Sequence, residues 1–90
     1  MKKNHRGRKL RGASLELADL RWADFGDTDL TGANLTGANL TEANLSGADL
    51  TGANLSYAKL TGAIFWKTKM EGAKLTDADL DGADLDGVIW

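Results

Sequence analysis

Large apolar residues recur at every fifth position of the chain from Leu10 to Trp90. We call these positions the centres; thirteen of the seventeen are leucine, and the others are Phe25, Phe65, Met70 and Trp90. Alanine stands two positions before the centre in thirteen units. The residue directly before the centre is usually Asp or Asn, the residue after it is often Thr or Ser, and the next is glycine in nine units of sixteen. The pattern predicts one structural unit of five residues, repeated along most of the chain.

A period of five fits neither a continuous α-helix nor a long β-strand. On a helix each step of five rotates the centre by about 140°, and on a strand an odd period places successive centres on opposite faces. The chain must therefore turn once per unit. The alanine and the centre are two positions apart, so both can face the interior from a short extended segment. The next two residues, such as Thr31 and Gly32, form the corner, where glycine tolerates a positive φ.

Four corners close a roughly square coil of twenty residues, and stacked coils pair at about 4.8 Å. Two columns at this spacing support the period: an all-glycine column at 12, 32, 52 and 72, and a column at 25, 45, 65 and 85 that holds both phenylalanines. About four coils fit between residues 10 and 90. We expect the core to be formed by the centres Leu15, Leu20, Phe25, Leu30, Leu35, Leu40, Leu45, Leu50, Leu55, Leu60, Phe65, Met70, Leu75, Leu80 and Leu85.

Units such as Ala33-Asn34-Leu35-Thr36-Gly37 and Ala48-Asp49-Leu50-Thr51-Gly52 resemble the consensus of the pentapeptide-repeat family, A-(D/N)-L-x-x. The resemblance covers residues 8–90 in unbroken register. It implies an all-β fold, a right-handed quadrilateral β-helix (solenoid). Most members of the family have no assigned function. The best understood are quinolone-resistance proteins and related members that bind gyrase as acidic mimics of duplex DNA; they are longer, dimerise through a C-terminal module and often carry loops.

The charge is divided unevenly along the chain. Residues 1–11 carry six basic side chains and no acid, whereas the remainder carries five basic and thirteen acidic side chains, a net charge of −8. We expect residues 1–9 to form a basic arm, either flexible or folded as a partial lid, and residues 10–90 to form the β-helix. No apolar segment follows the basic start, so we do not expect it to be a signal peptide, and no apolar run is long enough to span a membrane. We expect a cytoplasmic protein by default.

No arrangement of residues in the sequence predicts catalysis. Cysteine is absent, and His5 stands alone, so neither a thiolate nor a histidine metal site is expected. Residues 77–82 match the start of an EF-hand loop, but the twelfth position is Val88 instead of glutamate, and Ala78 and Leu80 are in repeat register. We therefore expect no enzyme activity, no cofactor and no metal.

The acidic side chains could imitate DNA phosphates, because one sign of charge on a rod steers basic partners. However, the segment from Asn34 to Asn44 carries a single acid, and Lys59, Lys67, Lys69 and Lys74 interrupt the later part. Stacked threonines such as Thr31 and Thr51 also suggest a hydroxyl ladder of the kind that binds ice, although the ladder is short. A non-catalytic structural or protein–protein interaction module is the main prediction, and an acidic DNA mimic acting on a DNA-binding enzyme such as gyrase is the alternative.

Several outward positions carry apolar side chains, and outward aromatic residues often anchor interfaces. Ile64, Phe65 and Trp66 interrupt the polar pattern together. We predict a protein partner and neither direct nucleic-acid binding nor membrane binding. The predicted contact positions are Trp22, Tyr57, Ile64, Trp66, Ile89 and Trp90.

The ends of a solenoid expose its core and its unpaired strand edges. The last four residues, from Gly87 to Trp90, include the apolar Val88, Ile89 and Trp90. Trp90 could fold over the end as a lid, the end could pair with another copy, or the chain could be part of a longer array. We favour self-association, with a homo-oligomer formed through the C-terminal end of the solenoid.

Overall fold

The computed structural model describes residues 3–90, and its backbone repeats one short element throughout. Within this range no helix and no strand of consecutive paired residues forms; each unit consists of a single bridged residue and a two-residue turn. Every bridge is parallel and joins a residue to the one twenty positions later, from Asn4↔Asp24 to Lys69↔Ile89. The backbone pairing therefore has the twenty-residue period that the sequence predicted.

The bridges fall into four columns, which we call faces A to D. Face A contains residues 4, 24, 44, 64 and 84, and face B contains residues 9, 29, 49, 69 and 89. Face C contains residues 14, 34, 54 and 74, and face D contains residues 19, 39, 59 and 79. A two-residue turn separates each face from the next. One coil thus has four faces and four corners, and the result is a β-helix.

All five backbone N–H groups of a central unit have partners. The N–H of Leu30 donates to the carbonyl of Asp49 at 2.8 Å, and the N–H of Gly32 donates to that of Thr51 at 2.9 Å, both in the next coil. The N–H of Ala33 closes the corner onto Leu30 at 3.0 Å. In the same way Asn34 N–H pairs with the preceding coil, and Thr31 N–H bonds the Asp29 side chain. Such complete pairing is what a buried backbone requires.

The core is the stack of centres and alanines inside the coils. The buried centres are Leu20, Phe25, Leu30, Leu35, Leu40, Leu45, Leu50, Leu55, Leu60, Phe65 and Met70. The alanines two positions before the centres, from Ala23 to Ala63, are also buried. Their small side chains leave room for the centres in the narrow interior.

The end coils depart from the expected core. Leu15, Leu75 and Leu80 are only partly buried, and Leu85 is 37% exposed. Trp90 is 63% exposed, so it does not fold over the end as a lid. A centre in an end coil has a neighbouring coil on one side only, which explains the exposure: repeat register alone does not make a residue core.

The basic segment that begins the chain follows the same backbone pattern as the array, although Met1 and Lys2 lie outside the described residues. Asn4 bridges Asp24, and Lys9 bridges Asp29. The N–H of His5 donates to Asp24 O at 2.8 Å. These bridges argue against a boundary at residue 10, because backbone groups pair irrespective of side-chain charge. The flexibility of this segment stays a prediction.

Candidate interaction surfaces

The corners determine which side chains the molecule presents. The second corner residue has a positive φ in every described unit, between 66° and 71° at glycines such as Gly12 and Gly52. Seven other residues adopt the same conformation with φ between 53° and 61°; they are Leu17, Trp22, Asp27, Glu42, Tyr57, Lys67 and Asp77. A side chain in this region is strained, so the corners hold bulky groups at an energetic cost.

Side chains at the corners lie along the stack over the next coil. The Leu17 methyl group lies 2.7 Å from where a Cβ on Gly37 would stand, and the Glu42 carboxylate lies 2.8 Å from the same point on Gly62. Asp27 covers Gly47 likewise. Glycine at the following corner therefore serves two purposes, a relaxed positive φ and space for the side chain of the preceding coil.

The predicted contact residues do not form one patch. Ile64 lies on face A and Trp66 lies at the corner that follows it; they are 40% and 54% exposed. Trp22 and Tyr57 lie at two different corners of other coils, and Ile89 lies on face B beside Lys69. Leu17, which is not among the predicted contact residues, is also exposed and shares its corner column with Tyr57.

The Ile64–Trp66 pair is held rigidly. Phe65 between them is completely buried, and the N–H of Ile64 donates to Ala43 O at 2.9 Å. The Lys67 ammonium lies 5.4 Å from the centre of the Trp66 ring, within the range of a cation–π contact. On the same face, the equivalent positions of the preceding coil are the polar Asn44 and Ser46. We call Ile64, Trp66 and Lys67 the face A patch.

A second exposed aromatic residue lies near the first coil. The Arg21 guanidinium stands 5.3 Å from the centre of the Trp22 ring. Arg21 Nε and Nη2 also donate to the two oxygens of Asp19, each at 2.8 Å. These bonds lower the pKa of Asp19 to about 2. Lys3, Asp19, Arg21 and Trp22 together line a shallow depression of about 120 Å³, which is too small for a sizeable ligand.

The Asp or Asn before each centre caps its own corner. Asn34 Oδ1 accepts the N–H of Thr36 at 3.1 Å and its hydroxyl at 2.6 Å. Asp29 and Asp49 make the same pair of bonds with Thr31 and Thr51. The hydroxyl and then the N–H lower the pKa of both aspartates. Because these hydroxyls are already donating, the threonine columns are poorly suited to bind ice.

The charges separate toward the two ends of the stack. Residues 3–22 carry six basic and two acidic side chains, a net charge of +4. Residues 71–90 carry six acidic and one basic side chain, a net charge of −5. Among residues 3–90, no group of three His, Cys, Asp or Glu side chains could hold a metal ion. Asp79 Oδ1 accepts the N–H of Asp81, so the EF-hand-like segment follows the ordinary repeat.

Two threonines inside the coils have hydrogen-bond partners, and His5 stacks on a buried ring. Thr28 and Thr68 occupy alanine positions and donate to the carbonyls of His5 at 2.9 Å and Leu45 at 2.6 Å. The His5 ring stacks on Phe25 with centroids 4.8 Å apart. Burial, with the charges of Arg8 and Lys3, lowers the pKa of His5. The His5 ring thus covers Phe25 at the first coil, a role that its repeat register at position 5 could have indicated.

A stacked array of five-residue units with a closed interior defines a β-helical repeat protein. A family model described as pentapeptide repeats matches the chain in 8 copies over residues 6–37, 18–56 and 53–89. The chain belongs to the pentapeptide repeat family. The comparison with curated proteins gave no match.

Solved structures of similar chains are also pentapeptide repeat proteins. One from the thylakoid lumen of Arabidopsis thaliana is 33% identical, with a TM-score of 0.93 over 96% of this chain and 60% of its own. Rfr23 from the cyanobacterium Cyanothece 51142 is 32% identical, with a TM-score of 0.68 over 84% of this chain and 58% of its own. HetL from Nostoc sp. strain PCC 7120, involved in heterocyst differentiation regulation, is 34% identical, with a TM-score of 0.62 over 94% and 50%. The chain thus spans about half to three-fifths of these relatives.

Proposed function

We propose that this protein is a non-catalytic protein-interaction module whose contact site is the face A patch. The scaffold we propose for it is a right-handed, four-sided β-helix of about four coils, supported by the twenty-residue pairing and by the family. The single observation that carries the contact site is the pair of exposed apolar side chains, Ile64 and Trp66, on an otherwise polar face.

The physical argument rests on rigidity. Trp66 is a large side chain that loses little entropy on contact, because the buried Phe65 and the bridged Ile64 already fix its backbone. Tryptophan is enriched among the residues that dominate binding energy. The Lys67 ammonium against the ring adds a cation at the edge of the patch. Together these groups suit a protein surface with an apolar pocket beside a carboxylate.

The test uses residues that the chain itself supplies. The double variant Ile64→Asn with Trp66→Ser copies Asn44 and Ser46 of the preceding coil, so the fold should be retained. We expect the double variant to lose its native partner in cross-linking with a photoreactive group placed at Lys67. The control Leu17→Gly removes an exposed apolar side chain at another corner and should leave the cross-link unchanged. An unchanged cross-linking pattern in the double variant would contradict the proposal.

The acidic DNA mimic remains the second candidate, favoured by the net charge of −5 on residues 71–90. The net charge of +4 on residues 3–22 weighs against it. Inhibition of gyrase supercoiling by the wild-type protein, lost on Asp77→Asn with Asp79→Asn, would favour this alternative over the first.

Two further expectations belong to the proposal. Self-association through the C-terminal end is supported by the exposure of Leu85 and Trp90 in the last coil. A cytoplasmic location is our default, although one relative comes from the thylakoid lumen. Among residues 3–90, no helix is long and apolar enough to cross a membrane.

A further inference from the structure

The two edges of the stack carry complementary backbone groups. In the last coil of the 90-residue chain, the N–H groups of Leu75, Leu80 and Leu85 have no partner among residues 3–90. The carbonyls of Ala73, Ala78 and Ala83 likewise have none. In the first coil, the N–H and C=O groups of Asn4, Lys9 and Ser14 are equally unpaired within this range. Inside the stack, the N–H of a centre donates to the carbonyl of a bridged residue, and the N–H of a bridged residue donates to a carbonyl at the alanine position. The unpaired groups of the two edges are the two halves of these same pairs.

The internal pairing rule fixes how the edges would fit. Inside the stack a centre N–H donates to the carbonyl nineteen residues later, as Leu55 does to Lys74 O at 2.7 Å. A second copy that continues the coil from residue 90 sets Leu80 N–H against the carbonyl of Lys9 in that copy, and Leu85 N–H against that of Ser14. The offset of 90 residues is a multiple of five, so centres meet centres and corners meet corners.

Charge complementarity selects this arrangement. In the register described above, Asp79 lies beside Lys9 of the second copy, and Asp81 lies beside Arg11. Asp77 at its corner would lie over Gly7 of that copy, as Asp27 lies over Gly47 within the chain. The only like-charged neighbours at the outward positions are Asp86 and Glu16. Opposite net charges of −5 and +4 on the two coils attract, whereas two acidic ends placed together repel.

We infer that copies of this chain associate head to tail, with the acidic coil of residues 71–90 seated on the basic coil of residues 3–22 of the next copy. The inference rests on the proposed self-association and adds the identity of the opposing surface. Such an interface is heterologous, so it leaves one free end of each type and builds open linear assemblies instead of closed dimers. The incompletely buried centres Leu75, Leu80 and Leu85 would then gain the missing second neighbour.

Charge reversal tests the inference on the full chain. We expect sedimentation velocity to show mass rising with concentration at low salt, and the apparent Kd to weaken about tenfold at high salt because the paired charges are exposed. Lys9→Glu and Asp79→Lys should each reduce association, and an equimolar mixture of the two variants should restore it. The control Lys59→Glu changes charge on the same face as Asp79 but inside the stack, and should associate as the wild type does. Circular dichroism checks that every variant is folded.

Other outcomes separate this inference from the broader one. If Asp79→Lys strengthens association while Lys9→Glu has no effect, two C-terminal ends meet each other; the head-to-tail inference then fails and the proposed self-association stands. If the wild-type protein is a monomer at all concentrations and salt conditions, both fail. Failure of the mixture to restore association would also overturn the head-to-tail arrangement.

Discussion

The residue before each centre works through one side-chain oxygen. Asp and Asn have an Oδ1 at the same distance from the backbone, which is why Asp49 and Asn54 cap their corners in the same way. The alternation of Asp and Asn in the sequence therefore preserves a structural bond while it varies the charge. Where lysine or isoleucine takes this place, as at Lys59 and Ile64, this cap is missing and the side chain is free for other uses.

Asp49→Asn should separate the stabilising effect of the corner hydrogen bonds from the effect of the carboxylate charge. At neutral pH the variant keeps both bonds with Thr51, so we expect thermal stability to change by less than about 0.5 kcal/mol. The Thr51 bonds lower the folded-state pKa of Asp49 below its ordinary 3.8. The contribution of the ionised Asp49 carboxylate to folding stability is thus fully present above pH 3.8 and is lost as the pH falls through the lowered pKa. The variant should lose less stability than the wild type in this acid range.

Thermal melts from neutral pH to about pH 2 provide the measurement. Asp49→Ala is the comparison variant, because it removes the cap itself and should be less stable at every pH. Equal acid sensitivity of the wild type and Asp49→Asn would show that the bonds from Thr51 do not govern the titration of this carboxyl group.

At the scale of the five-residue unit, the corner is the feature that the sequence predicted most fully. The nine corner glycines indicated a positive φ at the second corner position, and the period of five required a turn in each unit. The sequence did not indicate that Leu17 or Trp22 would adopt the same φ, since both residues disfavour it. Backbone hydrogen bonds to the next coil and across the corner hold the backbone in place, as at Leu17 and Trp22. The array therefore imposes the positive φ on whichever residue occupies the corner.

Gly52→Ala tests the conformational requirement of the corner. Gly52 has a φ of 69°, and no atom lies within 4 Å of an added Cβ, so crowding plays no part. We expect a loss of about 1 kcal/mol, because the left-handed cost to alanine is partly offset by a less flexible unfolded chain. Gly37→Ala should cost more, since its Cβ would also meet Leu17.

Chemical denaturation of the two variants provides the comparison. The double variant Leu17→Ala with Gly37→Ala removes the contact while a Cβ stays at both corners, and it should recover the difference between them. If Gly52→Ala were as stable as the wild type, the positive φ would not be a constraint at this corner.

For the whole molecule, the stack was predictable and its ends were not. The column that contains Phe25 and Phe65 indicated a twenty-residue coil, and the bridges follow that period. The sequence pattern treats every centre alike, however, and burial depends on neighbours on both sides. The first coil was missed for a related reason: charged residues obscured the register of Asn4, His5 and Gly7, although backbone pairing needs no particular side chain. Ile64 and Trp66 were predicted as contact residues because they interrupt the polar pattern, and that role stays a prediction.

One column of centres offers the sharpest comparison of burial, because it has a member in a central coil and a member in the last coil. Leu45 and Leu85 both belong to the column at 25, 45, 65 and 85; Leu45 has no exposed surface, and Leu85 is 37% exposed. Leu45→Ala would leave a cavity between two coils and should cost about 2–5 kcal/mol. Leu85→Ala has a neighbouring coil on one side only and should cost about 1 kcal/mol, if measured at a concentration and salt where the chain is monomeric. Because each coil contacts only its neighbours, the difference should also appear as local hydrogen exchange.

Under associating conditions the same pair links stability to assembly. A copy seated beneath the last coil would bury Leu85, so the cost of Leu85→Ala should rise with protein concentration while that of Leu45→Ala stays constant. Denaturant titrations at several concentrations measure both. A cost for Leu85→Ala that is independent of concentration would mean that no second copy covers its side chain.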